Sequence, residues 1–116
     1  MTGLQHNPHQ PARPVRLSPR LQAAADLVPP CRMACDIGTD HGWLPIWLIQ
    51  QARCEQAVAA DLRPGPLQRA CAHINRYGLA DRIRIHQGDG LAGIAVGDCD
   101  VVIMAGLGGH EIMRIL

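Results

Sequence analysis

The residues of this chain best suited to chemistry begin with one stretch, "CDIGTDHGWLPIWL", residues 35–48. An apolar run ends on Asp36. A glycine turn follows, with Asp40 and His41 between Gly38 and Gly42. Glycine at such a turn lets a ligand approach the backbone and the start of the next helix. Acids beside that approach favour a ligand with positive charge. A dinucleotide would bring its pyrophosphate to the same helix start, where Asp40 would set a like charge beside it. The spacing G-T-D-H-G also differs from G-x-G-x-x-G. S-adenosylmethionine brings an ammonium, a carboxylate and a sulfonium. Asp36 and Asp40 suit its cationic parts, and backbone N–H groups can take the carboxylate. Pro45 is compatible with a helix that starts near His41, because the first turn does not need its N–H.

Three later stretches extend the pattern. Asp61 lies 25 residues after Asp36 and closes a second apolar run. A carboxylate there can accept both hydroxyls of an adenosyl ribose. The alternative is a helix cap, distant from a helix starting at Pro64 or Pro66. A carboxylate awaiting a ligand is expected to be solvated. Asp89, within the "GDG" of Gly88–Gly90, could accept from an adenine amino group, or could simply form an Asp-Gly turn. In "AGLGGHE", Gly106, Gly108 and Gly109 leave room for a flat substrate, or for close packing of a strand-to-helix turn. His110 and Glu111 could touch that substrate, and Glu111 could equally complement the dipole of a following helix.

These stretches need elements to position them. Residues 1–16 are expected to be a flexible tail, with several prolines and with His6 and His9. Ser18 and Pro19 mark a helix start, and Pro29–Pro30 its end. Then strand and helix alternate. "RMACDIG" is a strand ending near Asp36, residues 42–53 a helix, and "EQAVAADL" a strand ending at Asp61. "GPLQRACAHINRYG" is a helix stopped by Gly78, and "RIRIHQGD" a third strand. "CDVVIMAGLGG" holds a fourth strand, and residues 109–116 begin a helix. This rhythm predicts a parallel α/β sheet with helices on both faces. Ligands then bind beyond the C-terminal ends of the strands, where the four stretches fall.

Composition excludes other classes. A hydrophobic content of 47% argues against disorder, and no apolar run is long enough to span a bilayer. The start of the chain has no apolar signal segment, so the expectation is a cytoplasmic protein without membrane contact. The net charge is +1. Its basic residues are all arginine, and Arg13, Arg16 and Arg20 form a local cluster that could reach phosphates. Five cysteines at irregular spacing (31, 35, 54, 71, 99) predict reduced, buried thiols rather than a disulfide set.

"LSPRL", "DIGTDHGWLPIWL", "DLRPGPLQRA", "YGLADRIRIHQGDGL" and "VVIMAGLGGHEI" together resemble the bacterial tRNA (adenine(22)-N(1))-methyltransferases. The resemblance covers residues 17–116 in order and spacing. It implies a Rossmann-like class I methyltransferase domain over 17–116, S-adenosyl-L-methionine as donor and tRNA as acceptor. Carried over by position, Asp36, Gly38, Asp40 and His41 line the methionine end of the cofactor. Asp61, with Leu62 beside it, holds the ribose, and Asp89 and Gly90 flank the adenine. Ala105 borders the cofactor pocket. Gly106, Gly108 and Gly109 face the target base, with His110 next to them. In that family the domain continues through further strands and a coiled-coil domain, whereas this chain ends at Leu116. The expectation is the parallel-strand first half of a sheet, with the edge of "DVVIMAG" exposed. Such an edge invites self-association or a missing C-terminal half. A non-catalytic relative that binds the cofactor or a partner, and an enzyme of the same fold with another substrate, are the alternatives.

Overall fold

Ser18 starts the first helix. Its hydroxyl accepts from the Leu21 amide at 3.3 Å, and Pro19 is preset for the first turn, so α1 runs Pro19–Asp26. The protein, described from a computed structural model, is defined over residues 13–39, 41–89, 99–104 and 111–114. After α1 come β1 (Cys31–Ile37), α2 (Trp43–Gln50), β2 (Cys54–Asp61) and α3 (Pro64–Arg76). They are followed by β3 (Ile83–Gln87), β4 (Val101–Met104) and β5 (Glu111–Arg114). α2 stops at Gln50, short of the expected 53, because Ala52 turns left-handed at φ 55°. Gly78, at φ 71°, follows α3 as anticipated.

The strands form one sheet in the order β3-β2-β1-β4-β5. The first four are parallel. The chain steps outward from β1 to β2 and β3, then returns to β4 on the other side of β1. That reversal makes the C-terminal end of β1 the switch point of the sheet. At the opposite, N-terminal end of β1 the carboxylate of Asp100 fixes β4 alongside, accepting from the Arg32 and Met33 amides at 2.9 and 3.0 Å. Those two bonds hold the Asp100 carboxyl below its ordinary range.

One face of the sheet meets the helices. Ala34, Ala57, Ala59, Val101 and Ile103 pack against Leu44, Ile46, Leu48, Ile49, Ala70 and Ile74. α2 is apolar all round, as a helix buried between neighbours must be. The opposite face carries Cys35, Val58, Ala60 and Val102. Gly42, the residue that caps α2, sits at φ 77°. A Cβ there would come within 3.0 Å of the Ala70 Cβ. This glycine lets α2 and α3 touch.

Three expectations are corrected. Residues 111–114 are a strand, not the start of a helix, and pair antiparallel with β4 over its whole length (Val101↔Arg114 to Met104↔Glu111). A short apolar run such as "EIMRIL" has no period to separate strand from helix, and the free ladder of β4 supplies the partner. The edge of β4 is therefore covered, which removes the ground for expecting self-association through it. Second, Cys35 and Cys99 are joined in a disulfide, their Cα atoms 6.2 Å apart. Their separation of 64 residues conceals a pairing that exists only once β4 lies beside β1. Cys31, Cys54 and Cys71 are free. Third, residues 13–16, assigned to the tail, are held against α2. Gln50 accepts from the Val15 amide at 2.8 Å and donates to the Arg13 carbonyl at 3.0 Å, and Val15 is buried. Among the described residues no helix is long and apolar enough to cross a membrane.

The Gly42–Ala70 contact yields a measurable consequence. Gly42→Ala meets both a left-handed φ and a steric clash, so it should lower stability by about 2–4 kcal/mol. Gly78→Ala has a similar φ but open space around the new Cβ, and should cost about 1 kcal/mol. Urea unfolding of the two variants checks the difference, and equal losses would mean that the helix contact is not tight.

Candidate functional site

The β1–β2 ladder continues past the end of β1. The amides of Gly38 and Thr39 both donate to the Ala60 carbonyl, at 2.9 and 2.8 Å. On the other side of β2, the Gly88 amide donates to the Asp61 carbonyl at 3.0 Å. The Gln87 side chain donates to the Leu62 carbonyl at 3.3 Å. The C-terminal ends of three strands thus form one rim, bringing together Asp36, Gly38, Asp61, Leu62 and Asp89.

Each of these residues has a distinct character. Gly38 has φ 74° and, among the described residues, nothing within 4 Å of the position a Cβ would take, so its outer side is left open by them. Gly42 spends its missing side chain on Ala70 instead. Asp36 is buried and already engaged inside the protein. Leu62 is 62% exposed and Asp89 is exposed. They follow the neighbouring strands β2 and β3, so the pair places an apolar surface and an acceptor on the same rim. His41 adopts φ 60°, uncommon for a residue with a side chain, and leads into the left-handed Gly42. No side chain caps α2. The N–H groups of its first turn are thus the donors available to an anion.

Asp61 departs from the expected solvated carboxylate. It is only 6% exposed, and its Oδ1 accepts from the Arg63 amide at 2.9 Å and from Arg63 Nε at 3.5 Å. This is the turn that feeds α3, whose own N-cap, Arg63, makes no side-chain cap bond. The helix-start reading and the ligand reading each account for part of this side chain. Among the described residues, Oδ2 accepts no hydrogen bond and remains for a donor from outside.

Two residues at the rim escape sequence reasoning. Thr39 is 1% exposed and, among the described residues, its Oγ1 has no hydrogen-bond partner. Nothing in "GTDHG" marks that hydroxyl as buried. His73 belongs to α3, and its Nδ1 lies 2.7 Å from the His41 carbonyl, 32 positions away in sequence. Asp40, Gly90, Ala105, Gly106, Gly108, Gly109 and His110 lie outside the described residues. Glu111 belongs to β5, so no helix dipole awaits it. No cluster of metal ligands occurs among the described residues. A cavity of about 340 Å³ is lined by Met33, Gln56, Ala57 and residues 80–84. It lies at the opposite, N-terminal ends of the strands, where such folds do not bind ligands.

A parallel sheet reversing at β1, with a glycine turn into α2 and an acid closing β2, defines a Rossmann-like α/β domain. The chain belongs to the methyltransferase-domain family, whose model matches residues 17–116. It is 36% identical over 102 residues to the tRNA (adenine(22)-N(1))-methyltransferase of Bacillus subtilis (strain 168). The match covers 88% of this chain and 43% of that protein, so the chain spans less than half of this relative. A protein of the NADB-Rossmann superfamily from Streptococcus agalactiae superposes with a TM-score of 0.72 at 34% identity, over 77% of this chain and 40% of that one. TrmK from M. capricolum, in complex with S-adenosyl-homocysteine, superposes with a TM-score of 0.63 at 37% identity, over 65% and 33%.

The buried Thr39 hydroxyl gives a direct test of the rim. Replacing an unpartnered buried hydroxyl by a methyl removes a desolvation cost. Thr39→Val should therefore raise the stability of the ligand-free chain by about 1 kcal/mol in denaturant unfolding. A loss of similar size would show that the hydroxyl is satisfied in solution.

Proposed function

We propose that this chain carries the S-adenosylmethionine site of a methyltransferase acting on N1 of an adenine in tRNA. The Oδ2 of the buried Asp61, at the end of β2 and without a hydrogen-bond partner among the described residues, is the observation that carries the reading. A nearly buried carboxylate with one oxygen unused suits a ligand that brings hydroxyl donors, as a ribose does. The open side of Gly38 and the uncapped start of α2 suit the carboxylate of the methionine end. Leu62 and Asp89 suit a purine, by apolar contact and by accepting from an amino group. The orphaned Thr39 hydroxyl fits a rim completed by a polar ligand. The relatives support the same assignment, one bound to S-adenosyl-homocysteine and one a tRNA (adenine(22)-N(1))-methyltransferase. With tRNA as acceptor, the work belongs in the cytoplasm.

S-adenosylmethionine, when bound, supplies a methyl group on a positively charged sulfur that departs as a neutral thioether. The adenine N1 has a free lone pair, so the chain needs no side-chain base before attack. What its residues must do is hold and align. Asp61 fixes the sugar, the β1–α2 turn fixes the amino-acid end, and Leu62 with Asp89 fixes the base. N1 lies on the Watson–Crick edge, so a paired target must first be turned out of its helix. Residues 105–110, assigned to the target base by resemblance, would then receive it. The exposed Arg13 and Arg16 would contribute general attraction to phosphates.

Asp61 decides the assignment. Charge-assisted hydrogen bonds to a carboxylate are worth roughly 1.5–3 kcal/mol each. Asp61→Ala should weaken S-adenosylmethionine binding by about tenfold to a thousandfold in calorimetric titration. Because Oδ1 also supports the Arg63 amide, the variant should lose about 1–2 kcal/mol of stability as well. NAD should bind neither form. Unchanged S-adenosylmethionine affinity in the variant, or tighter binding of NAD by the unaltered chain, would overturn the assignment.

A further inference from the structure

We propose that His73 is a positioning residue for the cofactor: it clasps the β1–α2 turn from behind and holds the geometry that the methionine end requires. The inference rests on the cofactor reading above and adds to it a residue outside the rim. A carbonyl oxygen can only accept, so the 2.7 Å contact requires that His73 Nδ1 carry a proton and donate it to His41. The accepting residue sits at φ 60° and the next, Gly42, at φ 77°. Two successive left-handed residues aim the start of α2, and a turn in that region stays fixed only where its surroundings over-determine it.

α3 supplies those surroundings from one stripe. Ala70, His73 and Tyr77 follow one another at helical spacing, so they share a face. Ala70 meets Gly42, with 3.0 Å between its Cβ and the place where a glycine Cβ would be. His73 bonds the His41 carbonyl. Tyr77 meets the Trp43 ring edge-on, at 6.5 Å and 79°. Trp43, the first residue of α2, stacks on the His73 imidazole at 3.9 Å and 20°. The His41 ring lies 6.0 Å from the same imidazole, at 15°. The imidazole is therefore fixed by its ring while its Nδ1–H is aimed at the turn. On the far side of that turn, Gly38 and Thr39 bond to Ala60. The clasp and the rim grip the same few residues from two directions.

The ring and the donor can be separated. His73→Phe keeps an aromatic ring for Trp43 and removes the Nδ1–H. His73→Asn removes the ring and keeps an N–H donor at the same distance from the backbone. Two readouts apply to the full chain: titration with S-adenosyl-homocysteine, and hydrogen exchange of the Gly38 and Thr39 amides without ligand. His73→Phe should weaken S-adenosyl-homocysteine about tenfold and speed that exchange about tenfold, while His73→Asn stays within about threefold of the parent in both. Should the Phe variant fail to fold, His73→Gln replaces it, since its donor lies one bond farther out and misses the carbonyl. Unchanged affinity and exchange in His73→Phe would overturn the clasp. So would equal losses in Phe and Asn variants that follow thermal stability, which would make His73 a packing residue. If the unaltered chain does not bind S-adenosyl-homocysteine, the cofactor reading fails by itself, and the exchange rates alone decide whether the clasp exists.

Discussion

The Ala60 carbonyl accepts two amides, Gly38 and Thr39, and the arrangement of the rim follows from that. In a parallel ladder each carbonyl ordinarily serves one partner. Here the second bond carries the pairing two residues beyond the strand, to Thr39, so the chain leaves β1 while still tied to β2. The turn is thereby held beside Asp61, which directly follows Ala60. Without that tether the glycine turn would start α2 in a less defined direction, and the acid at the end of β2 would face no fixed partner surface.

The helices defend the same geometry with very small side chains. Gly42 against Ala70 is a near-backbone contact, and Ala57 and Ala59 face the helices from β2. Small residues on both sides let α2 and α3 lie close to the sheet, where each added methyl group would force a shift. Polar groups are then admitted only where strands end. Asp36, Thr39 and Asp61 are the buried polar residues among those described, and all three belong to the ends of β1 and β2 or the turn beyond them. Burying acids there is costly unless they are bonded. Asp61 spends one oxygen on Arg63 and keeps the other, so the domain carries a local cost at the place where a ligand could offset it.

Much of this was legible in the sequence, for definite reasons. Apolar runs ending in acid or glycine located β1, β2 and β3. Ser18, Pro19 and Gly78 marked helix ends through their own backbone chemistry. The strand-end placement of Asp36, Gly38, Asp61 and Asp89 followed from the alternation of elements. What the sequence concealed was determined by register and packing. β5 was hidden because a six-residue apolar run has no distinguishing period. The Cys35–Cys99 bond depends on how β4 lies beside β1. The burial of Asp61, the isolation of the Thr39 hydroxyl and the reach of His73 to His41 arise from three-dimensional neighbours that no spacing rule encodes.

The central claim is that ligand binding belongs to the C-terminal ends of β1, β2 and β3, not to the cavity at their other ends. Amide chemical-shift mapping with S-adenosyl-homocysteine tests it most directly. Shifts are expected at Gly38, Thr39, Leu62 and Gly88, with Met33, Gln56 and residues 80–84 unmoved. Shifts concentrated around the cavity, with the rim silent, would contradict it.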